Sequence, residues 1–543
     1  MSQAASVTPA TGVLAQYHAE LAQGRFLIQR CNDCGQHVFF PRDICPHCGA
    51  HDPAWVAPSG LGTVYSVTTI RRKPEAGGDY NVCLIDLDEG VRMMSRVEVQ
   101  PVDAVEVGQR VKARVVQKDG QGLVVFDPVT ESAPATITPV PRGPAASAAV
   151  HTSSGLQALR GKAAIAGVAT FGCGEATGFS EMEVLAQAAR AAVADAGLKM
   201  SDIDGLCTAS VLSTMWPMPV TEYLGINPRY TNGTMVGGSS FVAHLLPAMM
   251  ALEAGQCNAV LVCYGSTQRT STFGRAEIAK ARRAMDPQPF ENPYEPMQPL
   301  SAYALAAKRH MHQYGTTRRQ LAEVAVAARQ WAQKNPEAFM RDPLSIDDVL
   351  KARMVSDPLS VRDSCLVTDG GGAFVLVRSD RAKTLPKKPV YVLGNATANW
   401  NRQISSMHDL TVTAATQSGR EAYAMAGLGP KDMDVLALYD AFTINTILFL
   451  EDLGFCAKGE GGAFVEGGRI APGGALPVNT NGGGLSCVHP GMYGIFTLIE
   501  SVRQLRGEAG ERQVAGATVA LAHGNGGTLS SQSTAILGTA DAL

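Results

Sequence analysis

The sequence predicts a two-part protein: a zinc ribbon and a small all-β barrel in the N-terminal third, then a duplicated α/β unit. Three observations carry this. A CxxC–x10–CxxC array occupies residues 31–48. Five short alternating segments, separated by glycine-containing turns, follow between residues 60 and 128. In the rest of the chain Ala196-Gly197-Leu198, Asp202, Asp204 and Leu206 recur at the same spacing as Ala426-Gly427-Leu428, Asp432, Asp434 and Leu436, six identities in eleven positions. Each copy describes a helix closed by glycine, an acidic turn and a buried strand, the pattern of an internal duplication.

Composition bounds the possibilities. The 543 residues suffice for about three or four domain-sized units. A hydrophobic fraction of 45% and a charged fraction of 17% belong to a soluble globular chain, and a net charge of -3 gives no basic footprint for nucleic acid. The start, MSQAASVTPATGVLAQYHAEL, lacks the basic and apolar regions of a secretory signal, and no uninterrupted apolar run reaches the roughly 18 residues of a membrane span. Twelve cysteines, four clustered and eight scattered, point to a reduced, cytoplasmic protein and not to a disulfide scaffold.

Residues 1–55 hold an amphipathic helix, an apolar strand and the cysteine array. Each CxxC turn aims two thiolates at one point, so Cys31, Cys34, Cys45 and Cys48 form a tetrahedral set suited to Zn2+. Four thiolates leave no open position, which makes the metal structural. His47 and His51 are bystanders in this reading. Residues 56–132 carry the five strands of a Greek-key barrel of the OB type, without the aromatic platform and basic groove of a nucleic-acid binder. Residues 133–161 are rich in Pro, Ala and Ser and read as a linker.

The duplicated unit divides into residues 162–387 and 388–543. KAAIAGVATFG and KPVYVLGNA open the halves as buried strands, and ligands commonly sit in the crevice between two such halves. Residues 479–494, NTNGGGLSCVHPGMYG, let the backbone approach a ligand closely and place His489 in a loop before a helix-patterned segment. A histidine there is a candidate for stabilising a thioester enolate; the plainer reading is a structural histidine in a glycine-rich turn. The sequence has no P-loop and no strand–GxGxxG–helix fingerprint, so neither ATP nor NAD is expected.

The order helix, zinc ribbon, barrel resembles the rubredoxin-like zinc-ribbon and OB-fold family that accompanies thiolase-like proteins in acyl-CoA metabolism. DGGGAFVLV at 369–377, LYDAFTINT at 438–446, NTNGGGLSCVHPG at 479–491 and AHGNGGT at 522–528 stand in the order found in the thiolase superfamily. Residues 162–543 most resemble its sterol-carrier-protein-associated and lipid-transfer branch. The resemblance implies a five-layer αβαβα fold, an acyl-CoA substrate and a homodimer formed across a sheet edge. It also implies a nucleophilic cysteine at the start of residues 234–252, but that stretch holds Gly237, Gly238, Ser239 and Ser240. These become candidate substrate contacts, with Gly238 leaving room for a bulky acyl group and the glycine loop around Gly526 beside them. The GHP loop survives as Val488-His489-Pro490; Tyr439 replaces the expected Asn or His, and His523 the second cysteine. This pattern resembles steroid side-chain-cleaving aldolases, thiolase-fold proteins that need a zinc-ribbon/OB partner.

A retro-aldol cleavage of a β-hydroxyacyl-CoA needs an oxyanion site and a proton shuttle but no nucleophile. His489 is expected to stabilise the enolate oxygen, Tyr439 either to remove the hydroxyl proton or to protonate the enolate carbon, and His523 to be the partner base. Asp440 either orients a neighbour or bonds to backbone. Tyr294 and Tyr303 lie on a Pro-rich segment that would form a lid over the acyl pocket, or else pack on a partner. Two alternatives stand beside this: a thiolase cleaving a bulky or aromatic β-ketoacyl-CoA with Cys487 as its reactive thiol, and a non-catalytic acyl-CoA or lipid carrier.

Overall fold

The computed structural model describes residues 11–118, 120–130, 154–271 and 287–543, with three isolated positions between the last two ranges. The expected linker falls largely outside these residues. Its final part, from residue 154, is already folded: Ser154–Gln157 is helical, and the Arg160 guanidinium donates to the carbonyls of Ala426 (2.7 Å) and Ala542 (2.6 Å).

In the N-terminal third the helix Val13–Ala22 precedes a three-stranded sheet, His37–Val38, Ile28–Arg30 and Ala54–Val56. The five expected barrel strands are Leu61–Ile70, Tyr80–Leu87, Arg92–Ser95, Arg110–Lys118 and Gln121–Pro128. Alternation along them fills the interior with Val64, Ile85, Met93, Val111, Val124 and Phe126. A bridge between Val97 and Phe126 brings the open edges together.

The two halves of the remaining chain repeat one topology. Ala163–Gly174, Asp369–Arg378, Ala259–Ser266 and Gly205–Thr208 lie side by side, as do Val390–Asn399, Ser531–Gly538, Val519–Gly526 and Val435–Leu438. In each set the last two strands are parallel and the other pairings antiparallel. The sets meet where Val390 and Tyr391 pair with Ile165 and Ala164. The helix Glu181–Asp195 packs against the first set and Ala415–Ala426 against the second, while Ser240–Ala243, Leu245–Glu253 and Gly494–Arg506 lie between them, giving five layers.

The duplicated residues do the same work twice. Gly197 and Gly427 end their helices at φ +70° and +65°. Asp202 caps the N–H of Lys199 at 2.8 Å, and Asp432 that of Gly429 at 2.7 Å. Asp204 accepts from the N–H groups of Asn258 and Ala259 where the adjacent strand begins; Asp434 does so from Thr518 and Val519.

The barrel is joined to this body through backbone as well as side chains. A hairpin from the second part, Met354–Ser356 and Leu359–Ser360, extends the barrel sheet beside Leu61–Ile70. Arg71 N donates to Val355 O at 2.9 Å, and Asp357 N to Thr69 O at 3.0 Å. The buried Arg92 guanidinium pairs with Asp86, donates to Met407 O and His408 O, and lies 3.4 Å over the Tyr65 ring.

The segment expected as a lid sits in this junction. Phe290 stacks on Phe40 with centroids 5.0 Å apart, and the Tyr80 hydroxyl donates to Glu295 O at 2.7 Å. Tyr294 is buried with its hydroxyl toward Ser95 of the barrel, which corrects its assignment as a substrate contact. The sequence left this open because the surface that covers Tyr294 lies some 200 residues away in the chain.

Candidate active site

The cysteine cluster is assembled as expected. All four sulfurs lie within 4.8 Å of one another, with Cys31–Cys48 at 3.6 Å and Cys34–Cys45 at 3.7 Å. A tetrahedron of roughly 2.3 Å Zn–S bonds has edges of about 3.8 Å, so the donor set fits zinc. Cys45→Ser is expected to abolish metal content and lower the melting temperature by several degrees, checked by elemental analysis and calorimetry. A variant that keeps one zinc per chain would overturn the assignment.

The chemistry-bearing groups come from the loop after the strand Val435–Leu438 and the turn before the helix Gly494–Arg506. Tyr439 follows the strand Val435–Leu438, so its backbone is set by the sheet: its N–H donates to His523 O at 3.0 Å. His489 lies in the turn between the π-helical Gly483–Cys487 and the helix Gly494–Arg506, held by its N–H to Thr368 Oγ1 at 2.9 Å. The Tyr439 hydroxyl and His489 Nε2 meet at 3.1 Å, and the Tyr493 N–H donates to the same hydroxyl at 3.2 Å. Burial drives the Tyr439 pKa well above that of a free phenol, against the smaller opposing effect of the Tyr493 N–H. At neutral pH Tyr439 is a phenol, with His489 Nε2 at 3.1 Å and Gly491 O at 3.4 Å both within reach of its hydroxyl.

Gly238 opens the central helix pair beneath this tyrosine. A Cβ at residue 238 would fall within the Tyr439 ring, so the space above Gly238 is filled by Tyr439 and not left for the acyl group. This corrects the expectation from sequence. In the stretch where the resemblance implies a nucleophile, the chain holds a glycine under a phenol. Gly526 is bare for a similar reason, since a side chain there would strike the carbonyl of Val236. The two serines are spent on the same turn. Ser239 Oγ bonds Val236 O (3.0 Å) and Ser531 Oγ (2.8 Å), and Ser240 Oγ donates to Gly237 O at 2.6 Å. Both are fully buried, so they lock the loop and do not present hydroxyls to substrate.

Two expected catalytic groups are not brought to the pair. His523 is buried with Nδ1 on Thr534 Oγ1 (2.9 Å) and Nε2 on Gln532 Oε1 (3.0 Å), and burial lowers its pKa to about 4. With both nitrogens engaged and protonation suppressed, it cannot be the partner base. Cys487 lies two residues before His489, yet its thiol lines a separate polar cavity with Cys173, Glu337 and Arg503. Burial, with the charges of Cys173 and Glu337 beside it, pushes its pKa well above that of a free thiol. The reactive-thiolate role is therefore corrected: a low-pKa thiolate needs positive surroundings.

Asp440 is fully buried under the glycine loop and accepts from the Gly484 N–H at 2.6 Å. Burial raises its pKa to about 7. Its neutral form is the one folding favours, so its contribution is complete below about pH 4 and is lost as pH rises through about 7. Asp440→Asn is expected to remove a stability loss on the order of 3 kcal/mol between pH 5 and 8, read from urea melts at both values. Equal slopes in the two proteins would refute it.

Reasoning from sequence missed Tyr493. Its ring lies parallel to His489, with centroids 6.3 Å apart, and its hydroxyl donates to Asn481 Oδ1 at 3.1 Å. The available signal was its place four residues after His489, at the start of the next helix. Asn525 was also missed; it donates to the Tyr303 hydroxyl at 2.8 Å.

A duplicated five-layer body with a histidine loop over a central helix defines a thiolase-like protein, and comparison with known proteins agrees. Residues 18–54 match the rubredoxin-like zinc ribbon domain of ChsH2, residues 55–116 its C-terminal OB-fold domain, and residues 396–539 the thiolase C-terminal domain-like family. The chain is 34% identical to the steroid side-chain-cleaving aldolase of Thermomonospora curvata, over 65% of this chain and 92% of that one. It is 33% identical to an acetyl-CoA acetyltransferase of Methanothermobacter thermautotrophicus, over 67% of this chain and 96% of that one. The solved Ltp2-ChsH2(DUF35) aldolase matches with a TM-score of 0.63 and 32% identity, over 70% of this chain and 98% of the other. The chain belongs to the thiolase superfamily, joined in one polypeptide to the ChsH2-type zinc ribbon and OB fold.

Proposed function

We propose that the chain is an acyl-CoA carbon–carbon lyase that cleaves a β-hydroxyacyl-CoA by a retro-aldol reaction, without an acyl-enzyme. The observation that carries this is the Tyr439–His489 contact of 3.1 Å above a glycine where a thiolase-type route needs a nucleophile. As the substrate β-hydroxyl gives its proton to the Tyr439 oxygen, the Tyr439 proton passes to His489 Nε2. The Cα–Cβ bond breaks, a ketone or aldehyde forms at Cβ, and the electron pair becomes a thioester enolate. The imidazolium so formed lies beside that negative charge, uniting shuttle and electrostatic stabilisation in one residue. This relay suits a phenol whose own pKa is far too high for it to wait as phenolate. A bulky alicyclic acyl chain of the steroid type is the proposed substrate class, supported by the name of the Thermomonospora relative.

Incubation with β-hydroxyacyl- and β-ketoacyl-CoAs, with and without free CoA, tests the reading by mass spectrometry. A ketone or aldehyde plus a shorter acyl-CoA, formed without added CoA, is the expected result. Cleavage that requires free CoA would return the chain to the thiolases.

A homodimer is also proposed, with a second copy seated on the edge strand Tyr230–Asn232. Beside it Met215, Met218, Tyr223 and Met235 are exposed, an apolar surface suited to a partner sheet. Met218→Glu is expected to give monomers by light scattering; a wild-type monomer at micromolar concentration would end this proposal. A cytoplasmic location is proposed as well; among the described residues no helix is long and apolar enough to cross a membrane.

A further inference from the structure

The retro-aldol reading leaves the enolate in need of a proton at Cα, and His523 does not supply it. Tyr303, on the helix Leu300–Tyr314, is fully buried, and its ring packs on Phe442, three residues beyond Tyr439, with centroids 4.5 Å apart. Its hydroxyl reaches toward Gly527 O, in the loop that abuts Gly237 beside the glycine under Tyr439.

The surroundings of this hydroxyl are lopsided. Its oxygen accepts from Asn525 Nδ2 at 2.8 Å, and the N–H of Leu529 and the Asn445 amide also act on it to favour negative charge. Asn445 Nδ2 is buried and forms no regular hydrogen bond. Asn525 is locked in turn by Gln532 Nε2, which donates to its Oδ1 at 2.8 Å. For the phenolic proton, the acceptor among the described residues is Gly527 O, at a long 3.4 Å. An oxygen that faces donors on one side and a single long acceptor on the other can settle a negative charge once its proton has left.

We propose that Tyr303 is the acid that protonates the thioester enolate at Cα, and that the barrel strand Leu61–Ile70 sets its position. In this step the Tyr303 O–H bond breaks, and the enolate electron pair forms the Cα–H bond. The phenolate left behind rests on its N–H donors. Once the ketone has departed, it regains the proton that His489 took from the substrate hydroxyl through Tyr439. No co-reactant is needed. Burial pushes the Tyr303 pKa up to about 12, so the proton is in place at neutral pH.

The barrel acts through the helix backbone. Ser66 Oγ donates to Leu305 O at 2.7 Å in a buried contact, two residues from Tyr303. Thr68 Oγ1 meets Ser356 Oγ at 2.7 Å, Ser356 reaches Ser301 at 3.4 Å, and Arg309 Nη1 donates to Tyr65 O at 3.3 Å. These contacts hold the turns on both sides of Tyr303 against one barrel strand. They make Ser66 a positioning residue for the phenol.

This inference rests on the retro-aldol reading, and the two fail separately. Failure of the reading appears in the wild type as absence of ketone or aldehyde from the β-hydroxyacyl-CoA panel. For Tyr303, the full-length zinc-loaded protein is incubated with acetyl-CoA and propionyl-CoA in deuterium oxide, and exchange at Cα is followed by mass spectrometry. By microscopic reversibility the group that protonates Cα also removes its proton. Tyr303→Phe is expected to slow exchange 100-fold or more, and Asn525→Ala about tenfold, with the circular dichroism of both variants unchanged. Ser66→Ala should slow it several-fold, lower kcat in cleavage with KM unchanged, and add nothing to Tyr303→Phe. Wild-type exchange in Tyr303→Phe, or no exchange in the wild type, would overturn the assignment.

Discussion

Gly238→Ala is expected to remove nearly all activity while leaving the fold in place. The added Cβ enters the volume of the Tyr439 ring, and the atoms it meets are the ring edge and hydroxyl. That ring is buried and packed edge-on against His489 and Tyr493, so it shifts only by about 1 Å, at an overpacking cost of about 1–3 kcal/mol. What it cannot keep is the hydroxyl's simultaneous contact with His489 Nε2 and the Tyr493 N–H. A misplacement of about 1 Å in a reacting group costs on the order of 100-fold in rate. Accordingly kcat should fall about 100-fold or more, KM should change by no more than a few-fold, and unfolding free energy should fall by about 1–3 kcal/mol. Steady-state kinetics beside a urea melt decide this; wild-type turnover in Gly238→Ala would show that the position of Tyr439 is not used. Gly238→Cys meets the same collision, so restoring a thiol there is not expected to restore thiolase chemistry.

The second large effect concerns the relay itself. Tyr439→Phe removes the hydroxyl and is expected to lower kcat by about a thousandfold, and His489→Ala to do likewise. Because each is useless without the other, the double variant should be only a few-fold slower than the worse single one. Multiplicative losses would mean that the two residues serve different steps. The cost to stability of Tyr439→Phe is small by comparison, about 1 kcal/mol for a buried hydrogen-bonded hydroxyl.

How much of this was legible in the sequence depends on whether the information was local. The cysteine array, the five barrel strands and the duplicated acidic turn are local patterns, and each is found where its pattern lies. Asp204 and Asp434 illustrate why: an acid that caps the start of the adjacent strand must sit at a fixed distance after the helix. The Tyr439–His489 pair was legible as two separate motif positions, although their contact was not. Side-chain direction was the main loss. Cys487 and His489 are two residues apart, and the turn between them sends the thiol toward Cys173 and Glu337, away from the phenol. His523 sits at the expected motif position, yet the strand directs its ring to Thr534 and Gln532. Gly238 misled for a different reason: absence of a side chain reads as empty space until the residue that fills it, 201 positions later, is known.

The hairpin at residues 354–360 has a bearing on dosage. Where a barrel partner is a separate chain, the fraction of catalytic bodies that carry one falls as the mixture is diluted, following the mass-action law for two components. Here donor and acceptor strands are segments of one polypeptide, so the encounter is unimolecular and occupancy is independent of protein concentration. Each ribosome that completes the chain delivers both components in a one-to-one ratio, and rate should scale linearly with enzyme down to the lowest concentration at which it can be assayed.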